Sequence, residues 1–284
     1  MVFLQSQGAE APESQVCVRP KNHIACSQAE STPPCETAGV GRGALPTLPA
    51  VGTLPHEMVR LILFDVDGTL IRTHGAGVKA FAQAFASEFG IPNGTERLQF
   101  AGRTDRSLVR EMFLNHGLAP SAENCRRFFE SYVFWLDHLM AQCNGEVCPG
   151  VGEFIRGWEG RPQPPLLGLL TGNIRLGAEI KLRHFDLWRK FRLGGFADDH
   201  EDRDQIAVVA LERARRTLGA DLRGEQILVV GDTPHDIRCG RAIGAKVLAV
   251  ATGGTARDQL QEHQPDWLVD DLQGVSADEI CPRP

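Results

Sequence analysis

Short, wholly apolar runs alternating with amphipathic stretches predict a doubly wound (Rossmann-like) α/β fold, a parallel sheet with helices on both faces. Three observations carry that expectation. The runs at 59–64, 166–170, 227–230 and 247–250, with a weaker one near 191–196, are too short for helices and do not alternate, as befits strands buried on both faces. Between them, Ala207, Ala210, Leu211, Ala214 and Leu218 recur at helical spacing, as do Val78, Phe81, Ala82, Phe85 and Phe89. Segments rich in Asp, Gly and Thr follow directly on three of the runs, where open α/β sheets gather their chemistry.

The 284 residues are enough for one large domain with an insert or for two domains. With 42% hydrophobic and 23% charged residues the composition is that of a globular chain, so wholesale disorder is excluded. No apolar run is long enough to span a membrane. A net charge of −6 argues against a general nucleic-acid or anionic-membrane binder. Eight cysteines without a Cys-x-x-Cys pair do not make a disulfide framework or a zinc site; Cys17, Cys26 and Cys35 are spaced too widely for one. A reducing, cytoplasmic setting is the expectation.

Residues 1–57 contain scattered Pro, Ser, Gly and Thr without periodicity and are expected to be a disordered tail. They lack the basic start and apolar core of a secretory signal, and the Arg-rich, acid-poor character of a transit peptide. Met58 directly precedes the first strand and is an alternative start of the chain.

The first strand ends in Asp65-Val66-Asp67-Gly68-Thr69. Two carboxylates two residues apart can hold a hard divalent cation and supply a nucleophile and an acid–base group, while Gly68 allows a sharp turn; an ordinary Asp-Gly turn is the alternative. The run 166–170 ends in Thr171-Gly172-Asn173, a hydroxyl followed by amides that could cradle an anion. The run 227–230 ends in Gly231-Asp232-Thr233-Pro234-His235-Asp236, a further carboxylate pair, or else a helix start capped by Asp232. Arg203, 29 residues before Asp232, could supply a cation for a phosphoryl oxygen. Lys181 is the competing cation, but a residue one or two turns into the helix after Thr171 is expected to have left the sheet edge, which favours Arg203.

Taken in order, Asp-x-Asp-Gly-Thr, apolar-Thr-Gly-Asn, a basic residue and Gly-Asp-x-x-x-Asp, the sequence resembles the haloacid dehalogenase-like hydrolase superfamily over roughly residues 59–272. The resemblance implies a magnesium-dependent phosphatase of small phosphate monoesters, with phosphoglycolate as the first substrate to consider. It implies that Asp65 attacks phosphorus, that Asp67 protonates the leaving group and then activates water, and that Thr171 and Arg203 bind the phosphoryl group. Gly68, Thr69, Gly172 and Asn173 would complete the phosphate pocket. Mg2+ would be held by Asp65, the Asp67 carbonyl oxygen and Asp232, with Asp236 in support. The partner implied is a small phosphorylated metabolite, and the state a monomer or homodimer.

Asp65 and Thr171 are 106 positions apart, far beyond the ~30 of a strand–helix–strand crossover. A helical cap over 73–159 is therefore expected, with core segments 58–72 and 160–276, resembling the phosphoglycolate-phosphatase-like branch. Helices are expected over 81–89, 107–116 and 123–140, with the Phe stripe as core packing. The break at Gly102-Arg103-Thr104-Asp105 is expected to be a loop, with Arg103 either touching substrate or held in a salt bridge within the cap. The acidic run Asp198, Asp199, Glu201, Asp202, Asp204 reads as a helix start, and His200 and His235 as bystanders. A phosphosugar mutase, or a catalytically silent binding protein on the same fold, are the alternatives; Asp67 counts against a carbon–halogen hydrolase.

Overall fold

The computed structural model describes residues 58–282, so the expectations for the tail lie outside the described residues. The first strand, β1 (Leu61–Phe64), is buried throughout. Successive side chains point to opposite sides: Ile62 and Phe64 enter one core cluster, Leu61 and Leu63 the other. A strand that feeds two cores has no polar face, which explains its unbroken apolar run.

A two-residue strand β2 (Ile71–Arg72) then leads into three helices, α1 (Ala76–Phe89), α2 (Asp105–Asn115) and α3 (Ala122–Met140). The chain returns along β3 (Glu146–Val147), which pairs antiparallel with β2. Thr104 and Ser121 cap α2 and α3 by accepting from the amides of Ser107 and Asn124. The three helices share a core of their own, in which the Phe81 ring packs against Phe128 and Tyr132 at centroid distances of 5.1 and 4.6 Å. The Phe stripe is thus core packing, except that Val78 is exposed and lines a pocket. Helix α4 (Val151–Glu159), which the expected insert included, instead buries Phe154 and Trp158 against the sheet, beside Phe64.

The remaining chain alternates strand and helix: β4 (Leu166–Leu170), α5 (Arg175–His184), β5 (Leu193–Gly195), α6 (Arg203–Leu218), β6 (Ile227–Gly231), α7 (Pro234–Ala242), β7 (Lys246–Val250), α8 (Arg257–Glu262), β8 (Trp267–Val269) and α9 (Ala277–Ile280). Six strands form one sheet in the order β5-β4-β1-β6-β7-β8, every neighbouring pair parallel. The weak run near 191–196 is β5, whereas β8, half-buried along its length, carried no readable pattern. Because β1 lies between β4 and β6, the chain crosses to opposite sides of β1, and a crevice opens at its carboxyl end. No helix among the described residues is long and apolar enough to cross a membrane.

Candidate active site

The carboxyl ends of β1, β4 and β6, the start of α6 and the inserted helices line one pocket of about 460 Å3. That size suits a small ligand. Asp65 continues the β1 ladder by donating its amide to the Val230 carbonyl at 2.9 Å, so the nucleophile candidate is fixed by sheet geometry. Gly68 follows at φ +85°, and a Cβ there would stand 2.5 Å from Asp232 Oδ2. Glycine is thus required both for the turn and for the approach of the Asp232 carboxylate. Thr69 is wholly buried and donates to Asp232 Oδ1 at 2.9 Å; it braces that carboxylate and does not line the pocket.

At the end of β4, Asn173 Nδ2 donates to Thr171 Oγ1 and to Asp67 Oδ2, each at 2.8 Å. The segment Thr171-Gly172-Asn173 therefore meets the β1 carboxylates at the pocket. Arg203, at the first position of α6, is 3% exposed. Its guanidinium donates to Asp65 Oδ1 and the Gly102 carbonyl, each at 3.4 Å, to the Leu170 carbonyl at 3.3 Å and to Asp236 Oδ1, while its Nε is buried without a hydrogen-bond partner among the described residues. Asp236 turns its other oxygen to the Thr233 amide and hydroxyl, at 2.9 and 2.6 Å. Thr233, not Asp232, is thus the cap of α7, and Asp236 sits behind the pocket wall, anchoring Arg203.

Two further expectations are corrected. Lys181 has not left the site: its ammonium donates to Asp67 Oδ2 and Asn173 Oδ1, each at 2.7 Å. Helical side chains lean toward the N-terminus, and a lysine stem is long enough to reach back along α5 to the sheet edge. The signal was present, since Gly177, Ala178, Lys181 and Leu182 share the buried face of α5. The acidic run 198–204 is not merely a solvated helix start. Asp202 does cap α6, but Asp199 clasps Arg213 with both oxygens at 2.6 Å, and Asp198 accepts from the Arg175 amide. Arg103 lines the pocket but pairs with Glu111 on α2. His200 accepts from the Asp202 amide, and His235 packs against Gly102.

Sequence reasoning missed two further residues. Asp105 Oδ2 accepts from the Ile174 amide at 2.7 Å, and its own amide donates to the Gly172 carbonyl at 2.7 Å, joining the insert to the β4 end. Thr252, after β7, donates to the Gly68 carbonyl at 2.5 Å. Nothing local in the sequence announces either contact.

The electrostatics are those of a site crowded with acids. Burial pushes the Asp65 carboxyl up to about 7; Arg203 opposes the shift, and Asp236 and Asp67 add to it. Burial, then Asp236 and Asp65, likewise hold Asp232 well above the usual carboxylate range. Burial works against the Arg203 charge, yet the Asp236 and Asp65 carboxylates hold its guanidinium above the ordinary value. Oxygens of Asp65, Asp232 and Asp236 lie within 4.8 Å of one another, and among the described residues a single guanidinium, that of Arg203, pairs with them. An all-oxygen, acid-rich donor set short of positive charge fits a hard divalent cation.

Residues 62–250 match the haloacid dehalogenase-like hydrolase family model. Among curated relatives, "Probable phosphatase IndB" of Dickeya dadantii (strain 3937) is 29% identical over 224 residues, covering 77% of this chain and 92% of the relative. Pyrophosphatase PpaX of Bacillus cereus (strain AH820) is 28% identical over 228 residues, covering 76% and 94%. In fold the chain is similar to CbbY of Rhodobacter sphaeroides, whose structure is a complex with phosphate, with a TM-score of 0.61 at 20% identity over 76% of this chain and 96% of that one. The chain belongs to the haloacid dehalogenase-like hydrolase family.

Proposed function

We propose that this phosphatase of the haloacid dehalogenase-like family hydrolyses small phosphate monoesters with Mg2+, through an aspartyl-phosphate on Asp65. The observation that carries the reading is the convergence of Asp65, Asp67, Thr171, Arg203 and Asp232 on one pocket from separate strand and helix ends. Asp65 attacks phosphorus as the bond to the leaving oxygen breaks, and Asp67 gives that oxygen a proton. Asp67 then takes a proton from the water that hydrolyses the aspartyl-phosphate, which frees phosphate and restores Asp65. The loose transition state asks chiefly for positioning and charge neutralisation. Thr171, the amides of Gly172 and Asn173, the turn at Gly68 and the Arg203 guanidinium serve those needs. Asp236 supports Arg203 from behind, and Thr69 supports Asp232.

Asp65, Asp232 and the carbonyl oxygen of Asp67 would hold the magnesium ion, with Asp236 adjoining. When bound, the ion neutralises charge shared between the nucleophile and the phosphoryl oxygens. The helices α1–α3 act as the cap: they cover the sheet edge, keep bulk water out and limit substrate size. Phosphoglycolate is the first compound to try, and the setting proposed is cytoplasmic. The experiment is phosphate release from a panel of phosphorylated metabolites, with Mg2+ and with chelator, for wild type and Asp65→Asn. Turnover that needs Mg2+ and falls by several orders of magnitude in the variant is expected; a variant keeping more than a few per cent of activity would falsify the covalent role.

A further inference from the structure

Lys181 is a lysine 4% exposed in a pocket whose phosphate end already has its cation in Arg203. Burying an ammonium is costly unless it is paired and hydrogen-bonded. Its pairing here is specific. Lys181 Nζ donates to Asp67 Oδ2 and to Asn173 Oδ1, and Asn173 Nδ2 donates to the same Asp67 Oδ2, so the three side chains close a ring. The position is built from both sides. Lys181 sits on the buried face of α5, and the first turn of α1 leaves room for it with Gly77, where a Cβ would stand 3.3 Å from Nζ.

The carboxylate so held would otherwise be loose, because the Asp67 side chain is 41% exposed, toward the pocket. A half-open carboxylate on a turn can swing through several rotamers, and an acid–base group works only within hydrogen-bond reach of its proton partner. Both clamping donors take Oδ2, which leaves Oδ1 free to face the leaving group.

We propose that Lys181 is a positioning residue: with Asn173 it clamps Oδ2 of Asp67 and so aims Oδ1 at the leaving-group oxygen. This rests on the acid–base role proposed for Asp67. A lysine that instead bound substrate directly would act on affinity, and would act whether or not residue 67 could carry a proton.

The test is Lys181→Met, which keeps the stem and removes the donors, beside Lys181→Arg, which keeps the charge. Release of the leaving group is followed in single turnovers with Mg2+ for a small alkyl phosphate and for p-nitrophenyl phosphate. The alkyl ester needs its leaving oxygen protonated, and nitrophenolate does not. The proposal expects Lys181→Met to lose about thirtyfold or more on the alkyl ester and less than about fivefold on the aryl ester, with KM within about threefold. Lys181→Arg should recover part of the alkyl rate. In an Asp67→Asn background, adding Lys181→Met should change the residual rate by less than about twofold. Equal losses on the two esters, an effect confined to KM, or an undiminished effect in the Asp67→Asn background would each overturn it. If wild type released no phosphate from any ester, the phosphatase reading itself would fail. The clamp would then be judged from crystal structures, where an Asp67 side chain unmoved in Lys181→Met, or in Lys181→Gln should the Met variant not fold, refutes it.

Discussion

A methyl group added at Gly172 tests how the insert is held on the sheet edge. A Cβ there would lie 2.1 Å from the Arg103 carbonyl oxygen and 2.9 Å from its carbon. Ordinary contact needs more than 3 Å, so backbone on one side must retreat by roughly 1 Å. The displaced loop is tied to the core by three hydrogen bonds of 2.7 Å, Asp105 N to the Gly172 carbonyl, Ile174 N to Asp105 Oδ2, and Thr104 Oγ1 to the Glu201 carbonyl, and by a longer one of 3.4 Å from Arg203 to the Gly102 carbonyl. Losing two of them costs about 1 kcal/mol each, and leaving the buried Asp105 without its donor adds about 1–3 kcal/mol. Gly172→Ala should therefore destabilise by about 3–5 kcal/mol and lower Tm by about 6–20 °C. The control is Gly157→Ala in α4, where nothing lies within 4 Å of the added atom. An alanine inside a helix gains about 0.5–1 kcal/mol over glycine, so that variant should melt about 1–4 °C higher. Scanning calorimetry of the two variants and wild type decides the matter. A Gly172→Ala protein melting within about 2 °C of wild type, with the control behaving as expected, means that the loop is not docked through this contact.

Asp67→Asn should slow alkyl phosphates far more than aryl phosphates in the single-turnover transfer step; equal losses would leave Asp67 a metal-holding role only. Arg203→Ala removes the charge facing Asp65, and turnover should fall at least about a hundredfold, checked by steady-state phosphate release. Stability of the metal-free protein should fall between about pH 4 and pH 8. Asp65 and Asp105 are each pushed from 3.8 to about 7, first of all by burial, so the native state keeps protons that the unfolded chain has lost. Their stabilising effect is complete below the unfolded value and is lost as pH rises through 7. Denaturant titrations at pH 5 and 8 measure it, and added Mg2+ should restore stability at pH 8 but little at pH 5.

What the sequence revealed and what it hid divide along a physical line. The strands of the sheet centre were legible because each is buried on both faces and needs no partner sequence to be recognised; β2 and β3, two residues each, are too short to carry a pattern. Asp65, Thr171 and Asp232 were legible for a related reason: a parallel sheet delivers the residue after each strand to one edge, whatever lies between. Residues that reach the site by side-chain length or by distant packing were not. Lys181 arrives by leaning back along a helix, Asp105 by the docking of a loop from 69 residues upstream of Ile174, and Thr69 turned out to serve Asp232 and not the pocket.

The four residues 171–174 join these contacts into one device. Gly172 and Ile174 receive the insert through Asp105, while Asn173, between them, holds both Asp67 and Lys181. A shift in how the insert sits on this segment must therefore be felt at the Asp67 carboxylate through one or two covalent bonds of backbone and one side chain. On the proposed chemistry, the proton donor is aimed only when the insert is docked and water is already excluded. Gly172→Ala thus carries a kinetic signature beside its thermal one: the alkyl-to-aryl rate ratio should fall in the same direction as in Lys181→Met, because both changes loosen the same carboxylate, one through the segment 171–174 and the other through α5. A Gly172→Ala enzyme that melts early but keeps the wild-type ratio would separate docking from aim, and would place the control of Asp67 in α5 alone.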